Sequence, residues 1–198
     1  MGVAYGKDNA GNDRWIIVWD RGDNLASVAS VAVPSASGDW TTLDMDAGGS
    51  AGANWTSGNG PNGVAFTNST VPPVWAIVGG KGHVAYSSTG SSDPADWRVD
   101  INTTTGFASN RGIEAVAFSG SYLFLAGART RIVSGSVVAE PSATAVDWGH
   151  GAADTRALDE DDTVGNSQFN WFDIGIAGLG ANGRIITVLT PAETQTFL

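Results

Sequence analysis

A short apolar motif occurs three times in the chain, at intervals of about 50 to 60 residues. The copies begin at Gly2 (Gly-Val-Ala-Tyr), Gly63 (Gly-Val-Ala-Phe) and Ala115 (Ala-Val-Ala-Phe). Self-similarity at a regular period indicates a repeat architecture, in which each copy opens one small structural unit. Each copy is followed by a second apolar run, a tight turn and a third run. The motif therefore predicts a repeated up-and-down sheet.

The second and third runs align in four places, which predicts four units. The aligned pairs begin at Trp15, Trp75, Leu123 and Ile176, and the last pair occupies residues 176–187. Glycine in the turn between the runs supplies the positive φ that a short hairpin requires, so the two runs are predicted to be antiparallel neighbours. Three units close on a tryptophan, at Trp40, Trp97 and Trp148.

The character of the strands predicts an all-β fold, a β-propeller of about four blades. The first run of each unit is apolar on both faces, as in a buried strand, whereas residues 96–101 alternate as a half-exposed edge strand does. Blades of this kind have four strands and repeat at roughly 40–50 residues. We predict one domain over residues 1–198, with blades at about 2–45, 63–101, 113–148 and 169–198. An open arc completed by a neighbouring copy is the alternative to a ring closed by one chain.

Composition excludes several functional classes. The 198 residues contain no cysteine, which rules out disulfides and thiolate metal sites. A net charge of −10 disfavours binding to nucleic acid or to an anionic membrane. No apolar run approaches the roughly 20 residues that span a bilayer, and the first residues lack the pattern of a signal peptide. We expect synthesis in a cytoplasm without export.

The repeat resembles the sialidase-type propellers, also called BNR or Asp-box repeats. Their box reads Ser-x-Asp-x-Gly-x-x-Trp, and degenerate versions stand at residues 35–40 and 91–97. The resemblance implies that the box is a structural turn between outer strands and that its tryptophan packs within the blade. Degenerate blades of this kind also recur in bacteriophage virion proteins, including tail and decoration components. The resemblance therefore implies a location in a virion.

Sialidase catalysis is not predicted. The family uses three arginines, a tyrosine–glutamate pair and an acidic residue on about six blades, whereas this chain has three tyrosines and four glutamates in fewer blades. Glu114 and Arg111 could be a remnant of such a site, or could belong to a solvated turn. We predict a protein that is not an enzyme and needs no cofactor.

The alignment yields candidate ligand-binding residues on one end of the propeller. Five basic residues fall in equivalent turns between second and third strands: Arg21, Lys81, Arg129, Arg131 and Arg184. Long loops reach the same end, and long loops on a rigid scaffold often carry binding sites. Trp55 lies in one of them without a counterpart in the repeat, and a loop tryptophan can stack on a sugar or anchor a protein partner. The alternative is that turns simply favour polar residues.

Metal binding has one candidate in the sequence. The two histidines, His83 and His150, are far apart in the sequence, and neither stands in a pattern with cysteine or in an HExxH-like motif, so no transition-metal site is predicted. Asp159, Asp161 and Asp162 lie in an acidic run that could supply the oxygen ligands preferred by Ca²⁺. The run lacks the spacing of an EF-hand loop, and a solvated acidic loop is the alternative.

Three functional hypotheses follow. The first is a non-catalytic structural or attachment component of a phage-like virion, whose partners are other virion proteins or further copies of itself. The second is a lectin-like propeller that binds a glycan through Trp55 and the basic turns. The third is a glycoside hydrolase of the sialidase type.

Overall fold

The computed structural model describes residues 1–19, 24–47, 51–52, 55, 60–100, 112–127, 131–138, 145–147, 171–177 and 184–189. At residues 47 and 51–52, and from residue 131 onward, the description covers the backbone alone. The described elements are β-strands joined by turns and short 3-10 segments. They form four separate sheets in chain order.

The first sheet is a four-stranded meander. Its strands are β1 (Gly2–Lys7), β2 (Asp13–Val18), β3 (Leu25–Ala29) and β4 (Trp40–Asp44), and each is antiparallel to the next. A 3-10 turn at Ser37–Asp39 precedes β4, and another at Met45–Ala47 follows it.

The second sheet repeats the meander and adds one short strand at its edge. The meander consists of β6 (Pro61–Thr67), β7 (Val74–Gly79), β8 (Val84–Ser87) and β9 (Arg98–Asp100). The added strand, β5 (Ala51–Gly52), runs parallel to β9. All six residues of β7 are buried, as their continuous apolar sequence predicts for a strand covered on both faces.

The third and fourth sheets follow along the chain. The third contains β10 (Ile113–Ser119), β11 (Tyr122–Gly127), β12 (Arg131–Val138) and β13 (Ala145–Asp147). The fourth contains the antiparallel pair β14 (Trp171–Ala177) and β15 (Arg184–Leu189). A tight turn at Gly120, whose φ is +59°, joins β10 to β11.

Successive sheets pack face to face through their first strands. β1 contacts β6, β6 contacts β10, and β10 contacts β14. The contact between β1 and β6 is close, because a Cβ atom at Gly6 would overlap the ring of Phe66. Two apolar clusters fill the spaces between the first and second sheets and between the second and third. The core is therefore a series of layers between sheets.

The fourth sheet differs from the sequence alignment. Residues 176–187 were predicted to form a second and a third strand, but β14 packs against β10 and β11. That is the position of a first strand, because β10 makes the same two contacts, with β6 and β7 of the sheet before it. β14 and β15 are therefore the first and second strands of their sheet. The end of the predicted fourth blade, at residues 190–198, lies outside the described residues.

Candidate functional site

The face of each sheet that is turned toward the preceding sheet carries the same side chains at the same register positions. Four positions on the first two strands define it, and β-sheet pairing places them side by side in two cross-strand pairs. The residues are Val3, Tyr5, Trp15 and Ile17 in the first sheet, Val64, Phe66, Trp75 and Ile77 in the second, and Val116, Phe118, Leu123 and Leu125 in the third. We call the first of these sets, Val3, Tyr5, Trp15 and Ile17, the leading face.

The same positions are covered in two sheets and uncovered in the first. Trp75 and Ile77 are completely buried against the first sheet, and the third-sheet positions pack against the second sheet in the same way. In the leading face, Val3 is 59% exposed and Tyr5 is 44% exposed, while Trp15 and Ile17 are half-buried. The leading face is therefore an apolar sheet surface, of the kind buried elsewhere in the chain, that lies open to solvent.

A polar network borders the leading face at one end. The ring of Tyr5 packs on that of Trp15 with centroids 4.6 Å apart, and its hydroxyl donates a 2.6 Å hydrogen bond to Asp13 Oδ1. Lys7 Nζ donates to the same oxygen at 2.8 Å. The Tyr5 ring is therefore held in place by packing on Trp15 and by the hydrogen bond from its hydroxyl to Asp13.

The electrostatics of this network keep each group in its ordinary neutral-pH form. The hydrogen bond to Asp13 raises the pKa of Tyr5, and the same carboxylate raises the pKa of Lys7. The bonds from Lys7 and Tyr5 lower the pKa of Asp13. A general acid or base works best when its pKa lies near the operating pH, and all three shifts lead away from neutrality. The network is suited to positioning side chains.

On the same side of the first sheet as the leading face, the third and fourth strands carry polar residues. Ser27 and Thr42 occupy the register positions that Ala85 and Val99 hold in the second sheet, where both are buried. The apolar area of the first sheet is thus confined to its inner half. An apolar centre with a polar border is the usual composition of a protein–protein interface.

Solved structures with the same arrangement of sheets identify the fold. No protein-family model matches the sequence, and no curated protein matches it. A solved structure of YCF48 bound to D1 peptide matches with a TM-score of 0.51 at 13% identity, over 94% of this chain and 46% of that one. YCF48 from Cyanidioschyzon merolae matches with a TM-score of 0.47 at 16% identity, over 93% of this chain and 47% of that one.

YCF48 is a β-propeller protein. The present chain has a β-propeller fold. The sheets correspond to propeller blades, and the predicted all-β propeller fold is confirmed. The chain spans about half the length of the solved propellers that it matches.

An ion pair within the first blade is connected to the second blade by one hydrogen bond. Arg14 Nη2 lies 3.0 Å from Asp8 Oδ2, and Arg14 Nε donates to the carbonyl oxygen of Thr89 in the second blade at 3.3 Å. Burial by itself would raise the pKa of Asp8, but hydrogen bonds from Asn12 and Ala10 and the Arg14 charge together lower it. Because every one of these groups is engaged, the pair has a structural role.

The two degenerate Asp boxes are also structural. In the first blade, Asp39 accepts hydrogen bonds from the backbone N–H groups of Ser35 and Ala36, which lower its pKa. In the second blade, Trp97 is 1% exposed, and its Nε1 donates to the carbonyl oxygen of Ser91 at 2.9 Å. Trp97 is buried in the layer between the first and second blades, whereas its equivalent Trp40 is only half-buried. The boxes close turns and offer no assembled binding site.

Trp55 is a buried core residue. The sequence predicted an accessible loop tryptophan, but the ring is 1% exposed and belongs to the cluster between the first and second blades. It lies against His83, with ring centroids 5.4 Å apart. Burial lowers the pKa of His83, so this ring is neutral at neutral pH. The prediction of Trp55 as an exposed stacking platform is wrong, because the ring fills space in the core.

The predicted group of basic turns is only partly described. Lys81 lies exposed between β7 and β8 with a φ of 53°, and Arg131 is the first residue of β12 after the equivalent turn. Arg184 begins β15, which is a second strand, so it belongs to the connection between first and second strands. The alignment was wrong there. Arg21 and Arg129 lie outside the described residues.

The calcium candidate is likewise beyond the described residues, because Asp159, Asp161 and Asp162 fall between β13 and β14 in a stretch that the structure does not describe. Within the described ranges, no group of three or more potential metal ligands occurs. None of the helical segments in those ranges is long and apolar enough to cross a membrane.

Sequence reasoning did not identify the leading face. The signal was present, since Val3 and Tyr5 match Val64 and Phe66 in the repeat. The repeat does not indicate whether another blade covers these residues. Their burial depends on how the blades are arranged.

Proposed function

We propose that this propeller is non-catalytic and acts through protein–protein contact, as a structural or attachment component of a phage-like virion in the tail or on the exterior. The observation that carries the proposal is the leading face of the first blade. Its exposed valine and tyrosine extend an apolar surface that ends in the Lys7–Asp13 ion pair. Contiguous exposed apolar surface with a polar border is typical of interaction sites.

The state of the polar groups supports a non-catalytic role. Tyr5, Lys7 and Asp13 satisfy one another, and Asp8 and Arg14 form an ion pair. The degenerate boxes act as turn closures, which is the role that such boxes have in sialidase-type propellers. This similarity supports the proposal that the chain is a degenerate relative of those repeats that retains the scaffold without the hydrolase function.

A protein is favoured over a sugar as the ligand. One of the matching propellers was solved bound to a D1 peptide, so this fold is able to bind a polypeptide. The lectin hypothesis depended on Trp55 as an accessible aromatic platform, and that ring is buried. The virion itself is proposed on the resemblance of the blades to those of phage tail and decoration proteins.

Fractionation of the native source tests the virion proposal. Lysate is separated on a density gradient, the chain is followed by immunoblotting, and particle fractions are imaged with gold-labelled antibody. We expect the protein to sediment with particles, with gold on the tail or outer surface. Recovery of all of the protein at the top of the gradient, with unlabelled particles, would overturn the proposal.

A further inference from the structure

The leading face of the first blade has the features of an interface between two blades, and nothing in the described part of the chain covers it. In the second and third blades, each position equivalent to Val3, Tyr5, Trp15 and Ile17 packs against the blade before it. The Tyr5–Trp15 pair even has the geometry of the buried Phe66–Trp75 pair, with centroid separations of 4.6 and 4.4 Å. The partner that fits this surface is another blade.

The described strands of the fourth blade do not supply that cover. β14 packs on β10 and β11, and no extensive contact joins β14 or β15 to β1 or β2. Val3 and Tyr5 are exposed. The described strands therefore form a series of sheets in which the leading face of the first sheet is not covered.

We propose that the leading face packs against the fourth blade of a second copy of this chain, so that two chains close one propeller ring. The inference rests on the proposed function, and it names the first protein partner as the chain itself. By twofold symmetry, the leading face of each copy meets the fourth blade of the other. Such a head-to-tail contact generates a closed assembly when the rotation between copies completes a circle.

The length of the arc fits a ring made by two chains. Nearly all of this chain aligns with somewhat less than half of the matching solved propeller, at 94% and 46% of the respective lengths. Two copies would therefore provide about as much chain as one such propeller.

The fourth blade can offer an apolar surface on each side. Side chains alternate between the two faces of a strand, so successive residues of β14 and β15 belong to opposite faces. The β14 sequence places isoleucine at residues 174 and 176 and tryptophan at residue 171, while β15 has Ile185, Ile186, Val188 and Leu189 in near succession. Apolar residues therefore stand at register positions on both faces of this pair, together with Asp173 and Arg184 on one of them.

On the side of the sheet that carries the leading face, the third and fourth strands of the first blade are polar. This distinguishes the proposed contact between two copies from the contacts between blades of one chain. Ser27 and Thr42 replace the buried Ala85 and Val99 of the second blade. Contacts between separate chains usually have a solvated polar rim around an apolar centre. In the layer between the first and second blades, by contrast, the second blade is apolar out to its third and fourth strands. The side chains therefore match a subunit interface.

Light scattering coupled to size exclusion tests the proposal directly. We expect a mass about twice that of the 20.3-kDa chain, falling to the monomer mass in Val3→Asp because a carboxylate cannot be buried without a partner. Val3 is exposed within one chain, so the variant should keep the wild-type circular dichroism spectrum. The matched control is Val71→Asp, which also replaces an exposed valine and should leave the dimer intact. A wild-type monomer at all concentrations, or a dimer unaffected by Val3→Asp, would overturn the proposal.

Cysteine cross-linking tests the orientation, because the chain has no cysteine of its own. Chains with Val3→Cys are mixed with chains carrying Thr187→Cys or Val188→Cys, which lie on opposite faces of β15, and are treated with a short bismaleimide. We expect one of the two mixtures to give a covalent dimer, and Val3→Cys alone to give none. Cross-linking of Val3→Cys to itself would show that two leading faces meet each other, and would overturn the ring.

The two proposals fail in different ways. A chain that is monomeric in solution yet sediments with particles would overturn the paired ring and leave the virion role in place. A dimer found only in gradient fractions without particles would overturn the virion role and leave the paired ring in place.

Discussion

The first and second blades carry the same motif in the same register, yet only one of them buries it on both sides. Phe66 and Trp75 of the second blade pack in the layer between blades, whereas Tyr5 and Trp15 of the first blade form a similar aromatic pair at the surface. The difference arises from the neighbour, because the second blade has one before it and the first has none in the described chain. An apolar strand sequence therefore specifies a surface that needs a partner, and the assembly determines whether the partner is present.

The largest expected contrast concerns the box tryptophans. Trp97→Ala should lower the free energy of unfolding by about 3–5 kcal/mol, because it leaves a cavity in the layer between the blades and breaks the bond to Ser91. Trp40→Ala, at the equivalent half-buried position, should cost roughly half as much or less. Urea unfolding followed by fluorescence measures both. Equal losses would show that the two blades are equally covered.

A larger residue at Gly6 tests how tightly the first and second blades pack against each other. Gly6→Ala introduces a Cβ atom that overlaps the Phe66 ring, so the blades must separate or the ring must turn, at a cost of about 2 kcal/mol. Gly38→Ala is the matched control, because no atom lies within 4 Å of the added Cβ there. Thermal unfolding of the two variants should differ clearly. A stable Gly6→Ala protein would mean that the first two blades are packed more loosely than the structure indicates.

The Asp8–Arg14 ion pair of the first blade predicts a dependence on pH. Asp8 has a pKa below its ordinary value in the folded chain, so its contribution to stability is present above about pH 4 and is lost as the pH falls through the lowered pKa. Asp8→Asn should cost about 1.5 kcal/mol at neutral pH, and the difference from wild type should shrink on acidification. Urea unfolding across a pH series measures this.

Arg14→Gln removes the other partner of the pair. The double variant with Asp8→Asn should lose less stability than the sum of the two single losses, since each single change already breaks the same contact. Strictly additive losses, or a difference from wild type that does not change with pH, would show that Asp8 and Arg14 do not stabilise each other.

The smallest effect is expected for Tyr5→Phe, a substitution that makes the first blade more similar to the second. Tyr5→Phe gives the leading face the aromatic residue that Phe66 supplies in the second blade, and it removes only the bond to Asp13. We expect the pKa of Asp13 to rise toward its ordinary value, because the Tyr5 hydroxyl is one of the bonds that lower it. An NMR titration of the carboxyl group detects the change. Tyr122→Phe, on another exposed tyrosine, should leave Asp13 unchanged.

The repeat was sufficient to predict the fold class and the burial of Trp97, whereas Trp40 is half-buried and Trp148 lies outside the described residues. Alternating and continuous apolar runs, together with turn glycines, are local signals, and the propeller and the buried Trp97 both follow from them. The fourth blade was aligned one strand out of step because hairpins look alike in sequence. Only packing of β14 on β10 and β11 identifies it as a first strand.

The candidate site was predicted less well than the fold. Trp55 was expected in solvent because it lies in a loop without a counterpart in the repeat, but tertiary packing brings its ring against His83 in the core. Val3 and Tyr5 were treated as part of a buried strand, because their sequence matches strands that are buried. In both cases the error concerned which atoms of distant segments are neighbours, and a local pattern does not contain that information.

By itself, the sequence determined the strands, the turns, the period and the apolar surface that each blade presents, since these depend on residue types a few positions apart. Tertiary structure alone decided which of these surfaces are covered. The same four positions form a core layer in the second and third blades and an open face in the first, because burial depends on the element packed opposite.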